Sequence, residues 1–223
     1  SRYYALIREL QPDACIAICG PDIRWCGNEA GIAPFAQWAV VPMELCPMNE
    51  PQTKGSLVEG SLEFLYNTDI TIGSLQQIMY SKGLVFAPAE TDMSIRPGWF
   101  YHEKEEPHSL DRLFRTYINS CGANTSFNLN VPPMPSGRFD PRDIQRLKEL
   151  GEALENSFGE SKKVPCRITK IDTGSDTQCK YEIEFEEETD VRFVNLMEDL
   201  TQGQRIESFR IYGDDGCKYY DYT

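Results

Sequence analysis

The chain has 223 residues, of which 40% are hydrophobic and 26% charged, a composition typical of globular domains with a sizeable core. Its formal net charge of −13 argues against a nucleic acid or an anionic membrane surface as partner, because both require concentrated Lys and Arg. A neutral substrate suits this charge better. No run of 18 consecutive apolar residues predicts a membrane span, and the N-terminal residues show no signal-peptide pattern, so the sequence predicts no compartment.

The eight cysteines include no C-x-x-C pair, and only two histidines, His102 and His108, are present as further metal ligands. A metal site is therefore not predicted. Several cysteines lie among apolar residues, as in Ala14-Cys15-Ile16, where a thiol behaves as a small hydrophobic side chain. We expect free and mostly buried thiols.

Up to about residue 159 the pattern alternates between short apolar runs and amphipathic segments, which favours a parallel α/β sheet or barrel. Continuous apolar runs at 14–18 and 84–87 predict buried strands, and 126–131 predicts a further strand that ends at two prolines. Helices are predicted at 4–10, after Ser74, after Ser109, and after Asp140-Pro141, where a capping carboxylate precedes a proline of the first turn.

After residue 160 the pattern changes to period-two strands separated by Asp-Thr-Gly and Asp-Asp-Gly turns, which indicates an antiparallel module. Strands are predicted around 181–185, 191–196 and 206–212. The three or four β/α units are too few to close an eight-stranded barrel, and the later strands are few for a complete sandwich. We therefore expect two domains, 1–159 and 160–223, each incomplete.

The segment that follows the first predicted strand, 20–31, combines two carboxylates with Arg24, Trp25 and Asn28 among glycines. This combination suits sugar recognition, because a Trp ring stacks on the apolar face of a pyranose while Arg and Asn bond its hydroxyls. Asn28 places an amide beside Glu29, a carboxylate that a partly apolar pocket would suit to general acid catalysis. A solvated loop with an incidental Trp is the alternative.

Two later stretches have the same polar and aromatic character. The segment 88–102 ends in three consecutive aromatic residues and His102, and is either a pocket lining or a buried aromatic plug with His102 as a hydrogen-bonded core residue. In the predicted strand 126–131, Asn128 and Asn130 share one face and either point into a barrel or serve as structural amides.

Together these stretches resemble the α-L-fucosidases of glycoside hydrolase family 29, most closely the branch that acts on α-1,3/1,4-linked fucose. The motifs are GPDIRWCGNEAG, SIRPGWFYH and SCGANTSFNLNVPP, followed by LMEDLTQGQRIESFRIY. The resemblance covers nearly the whole chain and implies the C-terminal part of a (β/α)8-like barrel followed by an antiparallel β-sandwich that is similar to galactose-binding domains. It implies no cofactor and a fucosylated oligosaccharide or glycoconjugate as substrate.

Carried over residue by residue, the resemblance implies that Glu29 is the general acid/base and that Arg24, Trp25, Asn28 and Trp99 contact substrate. Cys26 and Cys121 depart from the small apolar residues expected at their positions.

The family's nucleophile, an aspartate in a Trp-Phe-Asp type motif, has no counterpart among the 223 residues. We therefore expect a piece of a retaining α-L-fucosidase that is inactive alone. The alternatives are a non-catalytic carbohydrate-binding chain, or a partner chain that completes a barrel with the missing N-terminal half.

Overall fold

The computed structural model describes residues 2–17, 22–26, 28–33, 37–43 and 72–222. Its helices are α1 (Arg2–Leu10), α2 (Leu75–Ile78), α3 (Leu110–Cys121) and α4 (Pro141–Phe158), with 3-10 turns at Glu160–Lys162 and Leu200–Gln202. Its strands are β1 (Arg24–Trp25), β2 (Val40–Pro42), β3 (Leu84–Phe86), β4 (Ala89–Ser94), β5 (Thr125–Asn130), β6 (Cys166–Ile171), β7 (Lys180–Phe185), β8 (Phe209–Tyr212) and β9 (Lys218–Tyr222).

Strand β4 is the middle of a three-stranded parallel sheet of order β1-β4-β5. All six of its residues are buried, and each pairs with a residue of β5, from Ala89 opposite Thr125 to Ser94 opposite Asn130. Helices α3 and α4 pack together beside this sheet, and their apolar side chains form one core with those of β4. The members of this core that are buried are Met93, Ile95, Leu113 and Leu150. The parallel α/β arrangement expected for this part of the chain is confirmed.

The two longest helices begin where their capping residues predict. The Ser109 hydroxyl accepts a hydrogen bond from the Arg112 amide, and the Asp140 carboxylate accepts one from the Arg142 amide. Pro141 occupies the first turn of α4, where its missing N–H costs nothing. The helices predicted near the N-terminus and after Ser74 are present as α1 and α2, and strand 126–131 is present as β5.

Three predicted strands are wrong or misplaced. Residues 14–17 form no strand: the Ile16 amide donates to the Asp22 carboxylate, and the Ile16 carbonyl accepts from Ile23, so the segment bends back onto its own loop. Ile18, the end of that run, lies outside the described residues. Strand β3 exists but pairs antiparallel with β2 instead of joining the parallel sheet. Residues 191–196 contain no strand.

Beyond α4 the described chain contains two antiparallel hairpins, β6-β7 and β8-β9. Gly174 and Gly216 both adopt positive φ in the turns that join their strands, as the Asp-Thr-Gly and Asp-Asp-Gly patterns predict. Among the described residues from 151 to 220 none is buried. The antiparallel character is thus confirmed, while the described hairpins have no core of their own.

The cysteine expectation is half right. The six cysteines in the described part of the chain are free thiols, but Cys26 alone among them is buried. Cys19 and Cys46 lie outside the described residues. In the same part of the chain, no helix is long and apolar enough to cross a membrane.

Leu113 is fully buried in the core between α3, α4 and β4. Leu113→Ala should lower the free energy of unfolding by about 2–5 kcal/mol, because truncation removes apolar burial and leaves a cavity. The matched control is Leu10→Ala on the exposed side of α1. Chemical denaturation of both variants measures the difference, and an equal small effect in both would show that this core is not the stabilising one.

Candidate active site

One face of the parallel sheet carries polar side chains from strands β4 and β5. Glu90, Asp92 and Ser94 alternate along β4 and project to the same side as Asn128 and Asn130 of β5, which lie opposite Asp92 and Ser94. The Asn128 amide donates to the Asp92 carboxylate over 3.0 Å, and the Asn130 amide donates to the Ser94 hydroxyl over 3.1 Å. The prediction that the two asparagines share a face is confirmed.

Glu90 is the most perturbed carboxyl group of this face. It is buried beside Asp92, and burial together with the neighbouring negative charge and a hydrogen bond to Asp92 raises the pKa of the Glu90 carboxyl. The hydrogen bond from Asn128 acts in the opposite direction. The Glu90 carboxyl therefore binds a proton more tightly than an exposed glutamate does.

Glu29 lies in a turn that is fixed to the carboxyl end of β4. The Asn28 side chain braces this turn: its oxygen accepts from the amides of Ala30 and Ile32, and its nitrogen donates to the Ile32 carbonyl. The Gly31 amide donates to the Asp92 carbonyl over 2.8 Å. Glu29 itself is exposed.

Glycine is required at position 31 for two reasons. Its φ of +73° is a conformation that L-residues rarely adopt, and a Cβ there would lie 2.6 Å from Cγ2 of Thr116 on α3. The turn that carries Glu29 is thus pressed closely against the helix that covers the sheet.

Arg24 and Trp25 belong to strand β1 and not to a loop, so they project to opposite faces of the sheet. The Arg24 guanidinium is buried and donates to the carbonyls of Ala87 and Trp38 and to the Gln37 side chain. Trp25 lies opposite Glu90 in the register, on the polar face, and is half-buried. This geometry favours a positioning role for Arg24, and its contact with substrate stays a prediction.

Trp99 lies in the loop that joins β4 to α3, and its side chain is exposed. Two bonds hold its backbone over the polar face: the Ser94 hydroxyl donates to the Gly98 carbonyl, and the Asn130 amide donates to the Trp99 carbonyl, at 2.8 and 3.0 Å. His102 is exposed, so the interpretation of it as a core residue is wrong.

The carboxyl ends of β1, β4 and β5 form one edge of the sheet, where the turn of Glu29 and the loop of Trp99 both emerge. Glu29 supplies a solvent-accessible carboxyl group, and the buried carboxyl groups of Glu90 and Asp92 form the floor of this face. Within the described residues no group of three or more His, Cys, Asp and Glu side chains is arranged to hold a metal ion.

Glu90, Asp92 and Arg96 are not among the functional residues predicted from the sequence. No strand is predicted in the segment 88–102, because it begins with Pro88 and half of the residues that follow are polar. The available signal was the alternation Glu90-Thr91-Asp92-Met93-Ser94, which is a period-two pattern whose polar members face one way.

The raised pKa of Glu90 predicts how stability depends on pH. The folded state binds a proton at Glu90 more tightly than the unfolded state, so this contribution is fully present below the ordinary pKa of 4.5 and is lost as the pH rises through the raised pKa. Glu90→Gln should therefore flatten the decline in unfolding free energy above pH 4.5. Chemical denaturation of the wild type and of Glu90→Gln at several pH values above 4.5 measures the unfolding free energies.

The matched control for that measurement is Glu152→Gln, at an exposed position of α4. Parallel stability curves for wild type and Glu90→Gln would contradict the assignment of the bound proton to this carboxyl group.

Comparisons with known proteins identify relatives of this arrangement. The model of the family described as alpha-L-fucosidase matches residues 67–159. Alpha-L-fucosidase 1 of Arabidopsis thaliana is 31% identical, over 94% of this chain and 42% of its own length. The chain thus spans less than half the length of the curated relatives that it matches.

Solved structures give the same result. A Bacteroides ovatus protein assigned as an α-L-fucosidase is 30% identical with a TM-score of 0.71, covering 100% of this chain and 38% of its own. SpGH29 is 31% identical with a TM-score of 0.56, and the match covers 79% of this chain and 35% of SpGH29. This chain is similar to the C-terminal part of α-L-fucosidases of glycoside hydrolase family 29.

Proposed function

We propose that the chain forms part of a retaining α-L-fucosidase that removes terminal α-linked L-fucose from oligosaccharides or glycoconjugates. In this proposal residues 1–159 are the C-terminal half of a (β/α)8-like barrel, and residues 160–223 are part of a C-terminal β-sandwich. The preference for α-1,3/1,4 linkages belongs to the same proposal. The similarity to α-L-fucosidases and the alternation of parallel strands and helices support it.

One observation supports this function most directly. The Glu29 turn and the Trp99 loop are tied to the same end of β4, by the Asp92 carbonyl and the Ser94 hydroxyl respectively. Active sites of β/α barrels lie at this end of their strands. An exposed carboxylate and an exposed aromatic ring are thus presented at one edge, as protonation of a leaving group and stacking on a sugar require.

Glu29 acts in both steps of the proposed reaction. In the first step, a carboxylate nucleophile attacks C1 of fucose while Glu29 donates its proton to the departing glycosidic oxygen. In the second step, Glu29 accepts a proton from water as the water oxygen attacks C1 and releases the nucleophile. The nucleophile comes from outside these 223 residues, because they contain no Trp-Phe-Asp segment.

Asn28, Trp25 and Trp99 complete the proposed substrate site. Asn28 acts by holding the Glu29 turn through its three hydrogen bonds. Trp25 lies on the polar face beside Glu90, and Trp99 supplies the exposed ring for the sugar. Arg24 joins β1 to the carbonyls of Ala87 and Trp38, and its contact with substrate remains a prediction.

Glu29→Ala in the native protein that carries this chain should lower turnover of a fucosylated trisaccharide by about 10²–10⁴-fold, because general acid catalysis contributes that much. A 4-nitrophenyl fucoside, whose leaving group needs little protonation, should be affected less. Added azide should partly restore turnover and yield a fucosyl azide of retained configuration. Glu152→Ala, at an exposed position of α4, is the control, and unchanged trisaccharide hydrolysis by Glu29→Ala would remove Glu29 from this role.

The 223-residue chain alone should hydrolyse no 4-nitrophenyl fucoside, because it supplies the acid/base but not the nucleophile. It should also be poorly stable as a monomer, because the described hairpins have no buried residues and strands β1 and β5 are sheet edges. Light scattering and the fucoside assay measure both properties. A cooperatively melting monomer with ordinary turnover would contradict the proposal, whereas sugar binding without turnover would support the carbohydrate-binding alternative.

A further inference from the structure

The loop that joins β4 to α3 combines an exposed tip with a buried anchor. At the tip, Trp99 and Phe100 both expose their rings to solvent. At the base, the His108 amide donates to the Ile95 carbonyl over 2.8 Å and closes the loop. An exposed aromatic tip receives little support from core packing, so the support must come from polar contacts lower in the loop.

Arg96 supplies most of those contacts. Its side chain is completely buried, and its Nε donates to both carboxylate oxygens of Asp143, at 3.0 and 2.9 Å. Its Nη1 donates to the carbonyls of His102 and Glu105, and its Nη2 lies 3.2 Å from Oδ2 of Asp140. One guanidinium therefore joins both sides of the loop to the start of helix α4.

Tyr101, at the tip of the loop, is held by the same cluster. Its ring lies 4.9 Å below the Arg96 guanidinium carbon, and its hydroxyl donates to Oδ2 of Asp140 over 3.0 Å. Asp140 also caps α4 and accepts two bonds from the Arg142 side chain, which holds the pKa of the Asp140 carboxyl well below its usual range. The backbone next to Phe100 and Trp99 thus has its position set by buried charges.

We propose that Arg96 is a positioning residue for sugar binding: its buried guanidinium holds the Trp99 loop in the binding conformation before fucose arrives. Lysine is no substitute here, because the planar guanidinium donates to one carboxylate and two carbonyls while it lies beside a second carboxylate, whereas an ammonium is a compact charge. Arg96 does not touch the sugar. It acts through the position of Trp99, and the inference rests on the proposed fucosidase function.

The test compares four variants of the native protein: Arg96→Lys, Trp99→Ala, the double variant, and Arg115→Lys as the control. Arg115 forms an exposed ion pair with Asp111 one turn earlier on α3. Calorimetry measures the affinity for fucose, and an assay with a saturating aryl fucoside measures turnover. Hydrogen exchange of residues 97–105 measures the local order of the loop.

Arg96→Lys should raise the Kd for fucose about tenfold, a loss of roughly 1.4 kcal/mol, while kcat at saturation changes less than twofold, because ground-state contacts act on KM. Hydrogen exchange in residues 97–105 should accelerate about tenfold. In the Trp99→Ala background the same substitution should add little to Kd, because both changes remove one interaction. A purely structural role for Arg96 would instead give additive losses.

If Arg96→Lys fails to fold, Tyr101→Phe replaces it in the test. The Tyr101→Phe substitution removes only the hydrogen bond from the Tyr101 hydroxyl to Asp140 and should accelerate hydrogen exchange in residues 97–105. Affinity and exchange unchanged from wild type in whichever variant folds would overturn the positioning role while leaving the fucosidase proposal intact. Absence of fucose binding by the unmodified protein would instead overturn the proposed function, and this inference with it.

Discussion

Strand β4 is the constraint on which the described N-terminal part depends, because it is paired in parallel on both sides and buried on both faces. Its apolar side chains, Met93 among them, pack against helices α3 and α4. Its polar side chains form the face beneath the candidate site. Its carboxyl end then fixes two separate segments, since the Asp92 carbonyl binds the Glu29 turn and the Ser94 hydroxyl binds the Trp99 loop. The distance between the Glu29 turn and the Trp99 loop is thus set by residues of one strand.

Two groups of buried charged side chains near this strand behave in opposite ways. Glu90 and Asp92 lie side by side, so burial and mutual repulsion favour a bound proton. Arg96 lies between Asp143 and Asp140, so its charge is matched, and its Nε and Nη1 donate to fixed acceptors. The first group gives the floor of the site a sensitivity to pH. The second gives the loop above it a fixed backbone, which is the state that a binding site needs before its ligand arrives.

The hairpins after α4 show how much this part of the chain relies on contacts other than its own. A single two-stranded hairpin is marginally stable in water, and neither β6-β7 nor β8-β9 buries an apolar side chain in the described structure. Side chains from this region nevertheless bind the earlier part of the chain: Gln204 accepts from the Ala39 amide, and Glu207 accepts from the Leu75 amide. Phe193 also packs on Phe158 at the end of α4, with ring centroids 4.8 Å apart. The region that contains the hairpins is thus joined to the earlier part of the chain by two polar contacts and one aromatic contact.

The sequence by itself determined the features that depend on neighbouring residues. Ser109 and Asp140 cap their helices, and Gly174 and Gly216 form their turns, because each of these structures is decided within about four residues. The family motifs likewise identified Glu29 and Trp99 as candidates.

Only the tertiary structure decided which residues form the sheet and what surrounds each charge. Residues 14–17 are as apolar as a strand but bend back because the Asp22 carboxylate binds the Ile16 amide, whereas the polar run at 89–94 becomes the central strand because β1 and β5 pair with it on both sides. Arg24, Arg96 and Glu90 all read as loop residues, and their burial follows from partners up to 63 positions away, which local sequence does not encode.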